Sequence, residues 1–350
     1  MVKFETNSSV FGAGLDFVSF LAIPLAVAIL LTMVFGPALT AVTSAILFVC
    51  FDLFHVYVGI GTAWVFPDQW TNRRLFYFGF PALCFAAYSG LFALSPGLFA
   101  MIYAYASIFH FSRQQIGWMR ATGRRGLFFS SWESTLNDLA IYSATFGFVA
   151  YRVFDRPGAT WFVEGDLGFL SFLPSKGILA FALVVNAAYL VWQTIIAIKH
   201  KYVNVSKNLV WFTTFLVWGV SFVMFKAVTV GAVALIVVHH ASPFVVLSFF
   251  YVRHRRQEGH RSYFGPFAFL AVAGAALMLS SMEQAVSAEW SFLSYFSNLR
   301  FIEPFLAMIA TYHYAIDSFF WRQSYNPGCL SFFKKETPPA TDLRNEAKVS

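Results

Sequence analysis

Long apolar runs recur along the whole chain and are separated by short polar stretches. A helix needs about 20 apolar residues to cross a hydrocarbon core of about 30 Å. The runs are continuous rather than alternating and exceed the roughly 10 residues of a membrane β-strand, so they predict helices. We expect ten spans, at residues 16–35, 39–66, 75–94, 97–119, 134–154, 177–198, 208–225, 228–252, 264–282 and 301–321.

The composition indicates a membrane protein. Of the 350 residues, 58% are hydrophobic and 12% are charged, whereas soluble domains carry about 25% charged residues. We therefore expect an all-α polytopic transmembrane bundle of about ten helices. One membrane domain is expected at 1–332, followed by a disordered cytoplasmic tail at 333–350.

Basic residues concentrate in alternate loops and predict the orientation. They are Arg73, Arg74, Arg120, Arg124, Arg125, Lys199, Lys201, Lys207, Arg253, Arg255, Arg256 and Arg261. The positive-inside rule places these loops and both termini in the cytoplasm. The net charge of +7 is therefore interpreted as membrane topology. No nucleic-acid partner is expected, because the chain has no soluble domain that could present a basic face.

Histidines lie at similar depth in four of the predicted spans: His55, His110, the adjacent His239 and His240, and His313. At 1.5 Å per residue, these positions fall within roughly 6 Å of one another along the membrane normal. Ionisable side chains are costly in a bilayer, so this convergence predicts a shared buried metal site. Neighbouring helical residues diverge by about 100°, so one of His239 and His240 points inward, and the sequence does not choose between them.

Carboxylates accompany two of these histidines at helical spacing. Asp52 precedes His55 by three residues, and Asp317 follows His313 by four, so each pair lies on one helix face. Both acids are predicted either to ligate a divalent transition metal or to fix the tautomer of the imidazole. Either acid could also serve as a catalytic base. The alternative for each histidine is a hydrogen bond to a neighbouring helix.

A polar stretch follows His110 within an otherwise apolar helix. It contains Arg113, a candidate catalytic residue, together with Gln114 and Gln115. Asp138 opens the next span, and an Arg113–Asp138 ion pair is expected to ease the burial of both charges. The two glutamines and Asp138 are predicted to contact the metal ligands and hold them in place, without binding the metal themselves. The alternatives for the polar stretch are seating a polar substrate head group or holding helices together.

The order of these residues resembles that of a known family. A His/Asp-bearing helix comes first, then Phe-His-Phe at 109–111, then the two-histidine helix, and finally YHYAIDSFFWR at 312–322. This succession is similar to that of the Brp/Blh family of bacterial membrane β-carotene-cleaving oxygenases, over most of the membrane core. The resemblance implies nonheme iron held by His55, His110 and one or both of His239 and His240. HFSRQQIG and YHYAIDSFFWR also resemble stretches of uncharacterised bacterial polytopic membrane proteins.

The predicted ligands suit Fe(II), and also Zn, Mn or Cu, in a mono- or dinuclear site. Iron is favoured because O₂ dissolves in lipid and an apolar pocket excludes water from reactive species. We expect an oxygenase or oxidase in the bacterial inner membrane that acts on an apolar lipid or an isoprenoid- or carotenoid-like substrate. Zinc-dependent hydrolysis of a lipid is a further possibility. The competing class is a transporter or channel that moves protons or metal through intramembrane His and Asp residues.

Overall fold

A computed structural model describes residues 3–5, 9–33, 43–123, 131–155, 161, 165–168, 174–224, 230–293 and 302–321. These residues are almost entirely helical, as the continuous apolar runs predict. Strand β1 (Lys3–Glu5) pairs in parallel with β2 (Tyr202–Asn204). The predicted disordered tail at 333–350 lies outside the described residues.

Helices occupy the position of every predicted span. The helical segments are α1 at 13–33, α2 at Thr43–Trp64, α3 at Pro67–Trp70, α4 at Leu75–Leu94, α5 at Pro96–Gly123, α6 at 131–155, α7 at Ser175–His200, α8 at 205–224, α9 at Val230–Gln257, α10 at Ala268–Leu293 and α11 at Ile302–Phe320. Within the described residues, six of them contain segments long and apolar enough to cross a membrane: α1, α2, α4, α7, α9 and α10. The total of ten crossings and the side of the termini stay predictions.

Contacts between connecting segments bring the predicted cytoplasmic loops together. The β1–β2 pairing places the N-terminal segment beside the α7–α8 connection. The amide of Asn204 in that connection donates to the carbonyl of Thr122 near the end of α5, at 3.3 Å. Arg255 at the end of α9 forms an ion pair with Asp68 between α2 and α4. The basic loops thus lie beside one another in pairs, as their alternation along the chain requires.

Helix α9 lies at the centre of the bundle, since 78% of the residues in its most apolar stretch are buried. The outer helices instead expose large apolar side chains. Leu83 on α4 is 67% exposed, Val184 on α7 66% and Leu270 on α10 67%. Soluble proteins rarely expose extended apolar surface, so this exterior suits contact with lipid.

A buried ion pair joins α8 to α6. Nζ of Lys207 lies 2.5 Å from Oε1 of Glu133, and the two side chains are 6% and 1% exposed. The side chain of Asn204 accepts from the Lys207 amide and caps the start of α8. The cap and the ion pair together stabilise the N-terminal end of α8, where Lys207 lies.

Lys207→Met is expected to lower the free energy of unfolding by about 3–5 kcal/mol, because it leaves a buried carboxylate without its lysine. Adding Glu133→Gln should recover part of this loss. Thermal unfolding of the purified protein in detergent measures both effects. Lys199→Met is the control, since Lys199 is exposed at the end of α7. Equal behaviour of Lys207→Met and Lys199→Met would contradict the ion pair.

Candidate metal centre

Three histidines from three helices meet inside the bundle. His55 on α2, His110 on α5 and His313 on α11 offer ring nitrogens that all lie within 4.8 Å of one another. All three side chains are buried. Bonds of about 2.0–2.1 Å from nitrogen to a metal place two ligating nitrogens at most about 4.2 Å apart. Small side-chain adjustments are therefore enough for the three imidazoles to bind one ion.

The backbone of α2 sets the tautomer of His55. Its Nδ1 lies 3.2 Å from the carbonyl oxygen of Phe51, and because a carbonyl only accepts, the proton resides on Nδ1. Nε2 is left with its lone pair, and this buried atom has no hydrogen-bond partner in the part of the chain that the structure describes. Phe51 lies in a π-helical turn at Phe48–Leu53, and such turns are frequent at functional sites.

A glycine allows His313 to approach α2. A Cβ added at Gly59 would lie 2.7 Å from Nδ1 and 2.9 Å from Cε1 of the His313 ring. Gly59 lies one turn beyond His55, so α2 provides both a histidine and the space for another. The close packing of α11 against α2 therefore depends on a missing side chain.

Asp317 is the acid that reaches the histidines. Its Oδ2 lies 3.6 Å from Nε2 of His110 and 3.4 Å from Nε2 of His313. Among the described residues, no lysine or arginine forms an ion pair with this carboxylate. A buried carboxylate is unfavourable unless a cation compensates it. A metal ion shared with the two imidazoles would supply that charge.

The structure separates the adjacent histidines. The His240 ring faces the site, with its centroid 4.9 Å from those of both His55 and His110. Neither ring nitrogen of His240 has a hydrogen-bond partner among the described residues. His239 points the other way, and its Nε2 lies 3.1 Å from the hydroxyl of Thr213 on α8. His240 is therefore a fourth candidate ligand, whereas His239 joins α9 to α8.

Asp52 lies behind His55 rather than beside Asp317. Its Oδ1 is 3.8 Å from Nδ1 of His55, the nitrogen that donates to the backbone. Asp52 and Glu283 line a small cavity of about 40 Å³, and Oε2 of Glu283 accepts from the Tyr57 hydroxyl at 2.6 Å. The predicted span ends at residue 282, but α10 continues beyond it and contains Glu283. Its position directly after an apolar span was the signal that could have placed it.

The predicted Arg113–Asp138 ion pair is wrong. Asp138 pairs with Arg120, with Oδ2 2.5 Å from Nη2, while Nη1 of Arg113 lies 3.5 Å from the Tyr142 hydroxyl. Seven residues make about two helical turns, so both arginines lie on the same face of α5 and spacing alone does not distinguish them. The described ion pair of Asp138 is therefore with Arg120, and not with a residue of the histidine cluster.

The two glutamines differ in their contacts. Nε2 of Gln114 donates to the carbonyl of His240 at 3.4 Å and so joins α5 to the ligand-bearing part of α9. Gln115 is buried, and no described residue forms a hydrogen bond with its Oε1. The contact of Gln114 agrees with the predicted role of holding a ligand in place. For Gln115 the same role stays a prediction.

A cavity of about 330 Å³ reaches the cluster from the end of the bundle that carries the basic loops. Its inner lining includes His110 and Asp317, and Arg113, Gln114 and Arg120 follow along α5. Ligand-binding cavities commonly have volumes of about 300–1,000 Å³. His110 and Asp317 are therefore accessible to a small molecule from one side.

Comparison of the chain with known protein families, with curated proteins and with solved structures finds no match. The likeness to the Brp/Blh family consequently depends on the residue pattern alone and stays a prediction. Inference about function depends on the geometry of the site.

Gly59→Ala tests the approach of His313 to α2. Its added methyl group would overlap the imidazole, and such overpacking costs about 1–3 kcal/mol. Gly90→Ala on α4 is the control, because a Cβ there meets nothing within 4 Å and alanine favours the helix by about 1 kcal/mol. Thermal unfolding should show Gly59→Ala to be the less stable variant. Equal stabilisation by both changes would show that His313 does not pack against Gly59.

Proposed function

We propose that this chain is a membrane-embedded metalloenzyme whose metal is held by His55, His110, His313 and Asp317, with His240 beside them. The observation that carries the proposal is the meeting of three buried imidazoles from separate helices. Buried nitrogens without partners cost about 1–3 kcal/mol each. One coordinated cation would satisfy several of them at once.

Nonheme iron is the proposed metal. The proposed ligands are three imidazoles and one carboxylate, and ligands of these two kinds suit Fe(II) as well as Zn, Mn and Cu. Bound iron would supply the activation of O₂ for oxidation of an organic substrate. The protein itself holds the ligands, and apolar rings cover two of them: the ring centroid of Phe111 lies 4.1 Å from that of His240, and the ring centroid of Phe244 lies 5.5 Å from that of His313. Asp52 and Glu283, which line the small cavity together with His55, would be the candidate ligands of a second ion in a dinuclear centre.

The proposed substrate is a lipid or an isoprenoid, with carotenoids as the first compounds to test. The walls of the large cavity include Trp118, Phe244, Leu247, Phe319 and Trp321, which favour an apolar ligand. The ten-span topology with cytoplasmic termini, in a bacterial inner membrane, is part of the same proposal. In this topology the candidate ligands lie within the bilayer, where an apolar substrate dissolves.

The metal content of single variants tests the site. His55→Ala, His110→Ala, His313→Ala and Asp317→Asn should each reduce bound metal at least about tenfold, because each removes a ligand. His239→Ala is the matched control and should retain metal, since its ring contacts Thr213. Elemental analysis of the purified proteins measures this, with thermal unfolding as the check on folding. Metal-free wild-type protein, or equal loss in His239→Ala, would contradict the proposed centre.

Expression in a bacterial host that makes β-carotene tests the substrate. The wild-type chain should bleach the cells, and His110→Ala should leave them coloured. Pigment extraction and chromatography identify the products. Unchanged pigment beside metal-loaded wild-type protein would exclude carotenoids and leave other lipids as candidates.

Transport is the second candidate function, and the two cavities favour it. The 40 Å³ cavity with Asp52 and Glu283 and the 330 Å³ cavity with Asp317 lie on different sides of the histidine cluster. Such a row of ionisable groups is found in proton and ion pathways. Protein in sealed vesicles that carries protons or divalent metal, with loss of transport in Asp52→Asn and Asp317→Asn, would support this function. Vesicles without flux would exclude it.

A further inference from the structure

The two arginines that line the large cavity differ in their partners. Nη2 of Arg120 lies 2.5 Å from Oδ2 of Asp138, so a carboxylate already compensates its charge. Arg113 contacts the hydroxyl of Tyr142 at 3.5 Å. Among the described residues, no carboxylate forms an ion pair with Arg113. The cavity therefore contains one guanidinium whose charge is available to a ligand.

The remaining lining places that charge beside apolar surface. Arg113 lies three residues from His110, a rise of about 4.5 Å along α5. Gly117 follows one turn later, and a Cβ at this position would meet nothing within 4 Å. Four aromatic side chains contribute to the walls of the cavity: Trp118, Phe244, Phe319 and Trp321. A guanidinium that forms no ion pair among the described residues, next to these rings, is the pattern that an amphiphile with an acidic head group would match.

We propose that the 330 Å³ cavity binds an anionic amphiphile, whose carboxylate or phosphate pairs with Arg113 and whose hydrocarbon chain lies against the aromatic walls. Arginine binds both anions through paired N–H donors, so the two head groups share one chemistry. Because Arg113 is one turn from His110, the part of the chain nearest the head group faces His110 and Asp317. In this respect the inference rests on the proposed function, and among the proposed substrates it favours a lipid with an acidic head group over a carotenoid.

Binding to the purified full-length protein tests this directly. Radiolabelled dodecanoate, dodecyl phosphate and dodecanol share one hydrocarbon chain and differ in the head group. The protein, in a nonionic detergent, is immobilised for scintillation proximity measurements. Arg113→Gln removes the charge, and Arg113→Lys keeps it. Arg74→Gln is the matched control, because Arg74 is exposed, lies in a basic loop and is absent from the cavity lining.

The wild-type protein should bind at least one of the two anions about tenfold or more tightly than dodecanol, as expected for a hydrogen-bonded charge pair. The anion that binds more tightly identifies the head group. Arg113→Gln should abolish this preference, whereas Arg113→Lys and Arg74→Gln should keep most of it. Equal affinity of the wild-type protein for all three ligands overturns the inference. Equal loss in Arg113→Gln and Arg74→Gln also overturns it, because that result indicates general attraction to a basic surface.

His55→Ala separates this inference from the proposed function, because His55 is absent from the lining of the large cavity. The variant should lose metal and keep the preference for an anion. A wild-type protein that prefers the anion but holds no metal would sustain the binding site and overturn the metalloenzyme. A wild-type protein that holds metal but does not prefer the anion would sustain the metalloenzyme and overturn the binding site. Thermal unfolding of each variant confirms that the compared proteins are folded.

Discussion

The burial of ionisable side chains in an apolar bundle is the constraint on which this structure depends. A helix satisfies its own backbone groups in lipid, but an imidazole or carboxylate there needs a partner from another helix. His55, His110, His240 and His313 bring ring nitrogens without hydrogen-bond partners to one point, and Asp317 brings a carboxylate without a basic partner among the described residues. A single cation bound at this point would compensate these groups together.

Local features of the helices make this meeting possible. Gly59 leaves room for the His313 ring, and the backbone of α2 fixes the tautomer of His55. Pro243 lies inside α9, and since proline has no N–H, it removes the regular hydrogen bond to the carbonyl four residues earlier, that of His239. These features weaken regular helix packing beside the candidate site. Such local departures are expected where function competes with stability.

Some ionisable residues form complete ion pairs and stabilise the packing of the helices. Others form no such pair with an oppositely charged lysine, arginine or carboxylate among the described residues, and these are the candidates for binding a ligand. Lys207 with Glu133 and Arg120 with Asp138 form complete pairs, and these pairs join helices. Asp317 has only histidines as described ion-pair partners, and Arg113 has a hydroxyl at the limit of hydrogen bonding. Asp317 and Arg113 line the same cavity, so the proposed metal and the proposed anion lie close to each other.

The sequence by itself determined the helical membrane class, the approximate helix positions and the common depth of the histidines, because hydropathy and helical rise depend only on residue order. It also predicted the approach of Asp317 to His313 from a four-residue spacing. Only the tertiary structure showed that His240 rather than His239 faces the site, that Asp138 pairs with Arg120 rather than Arg113, and that Glu283 joins Asp52. These outcomes depend on the rotation of each helix about its axis, which packing against neighbouring helices decides and helical periodicity does not.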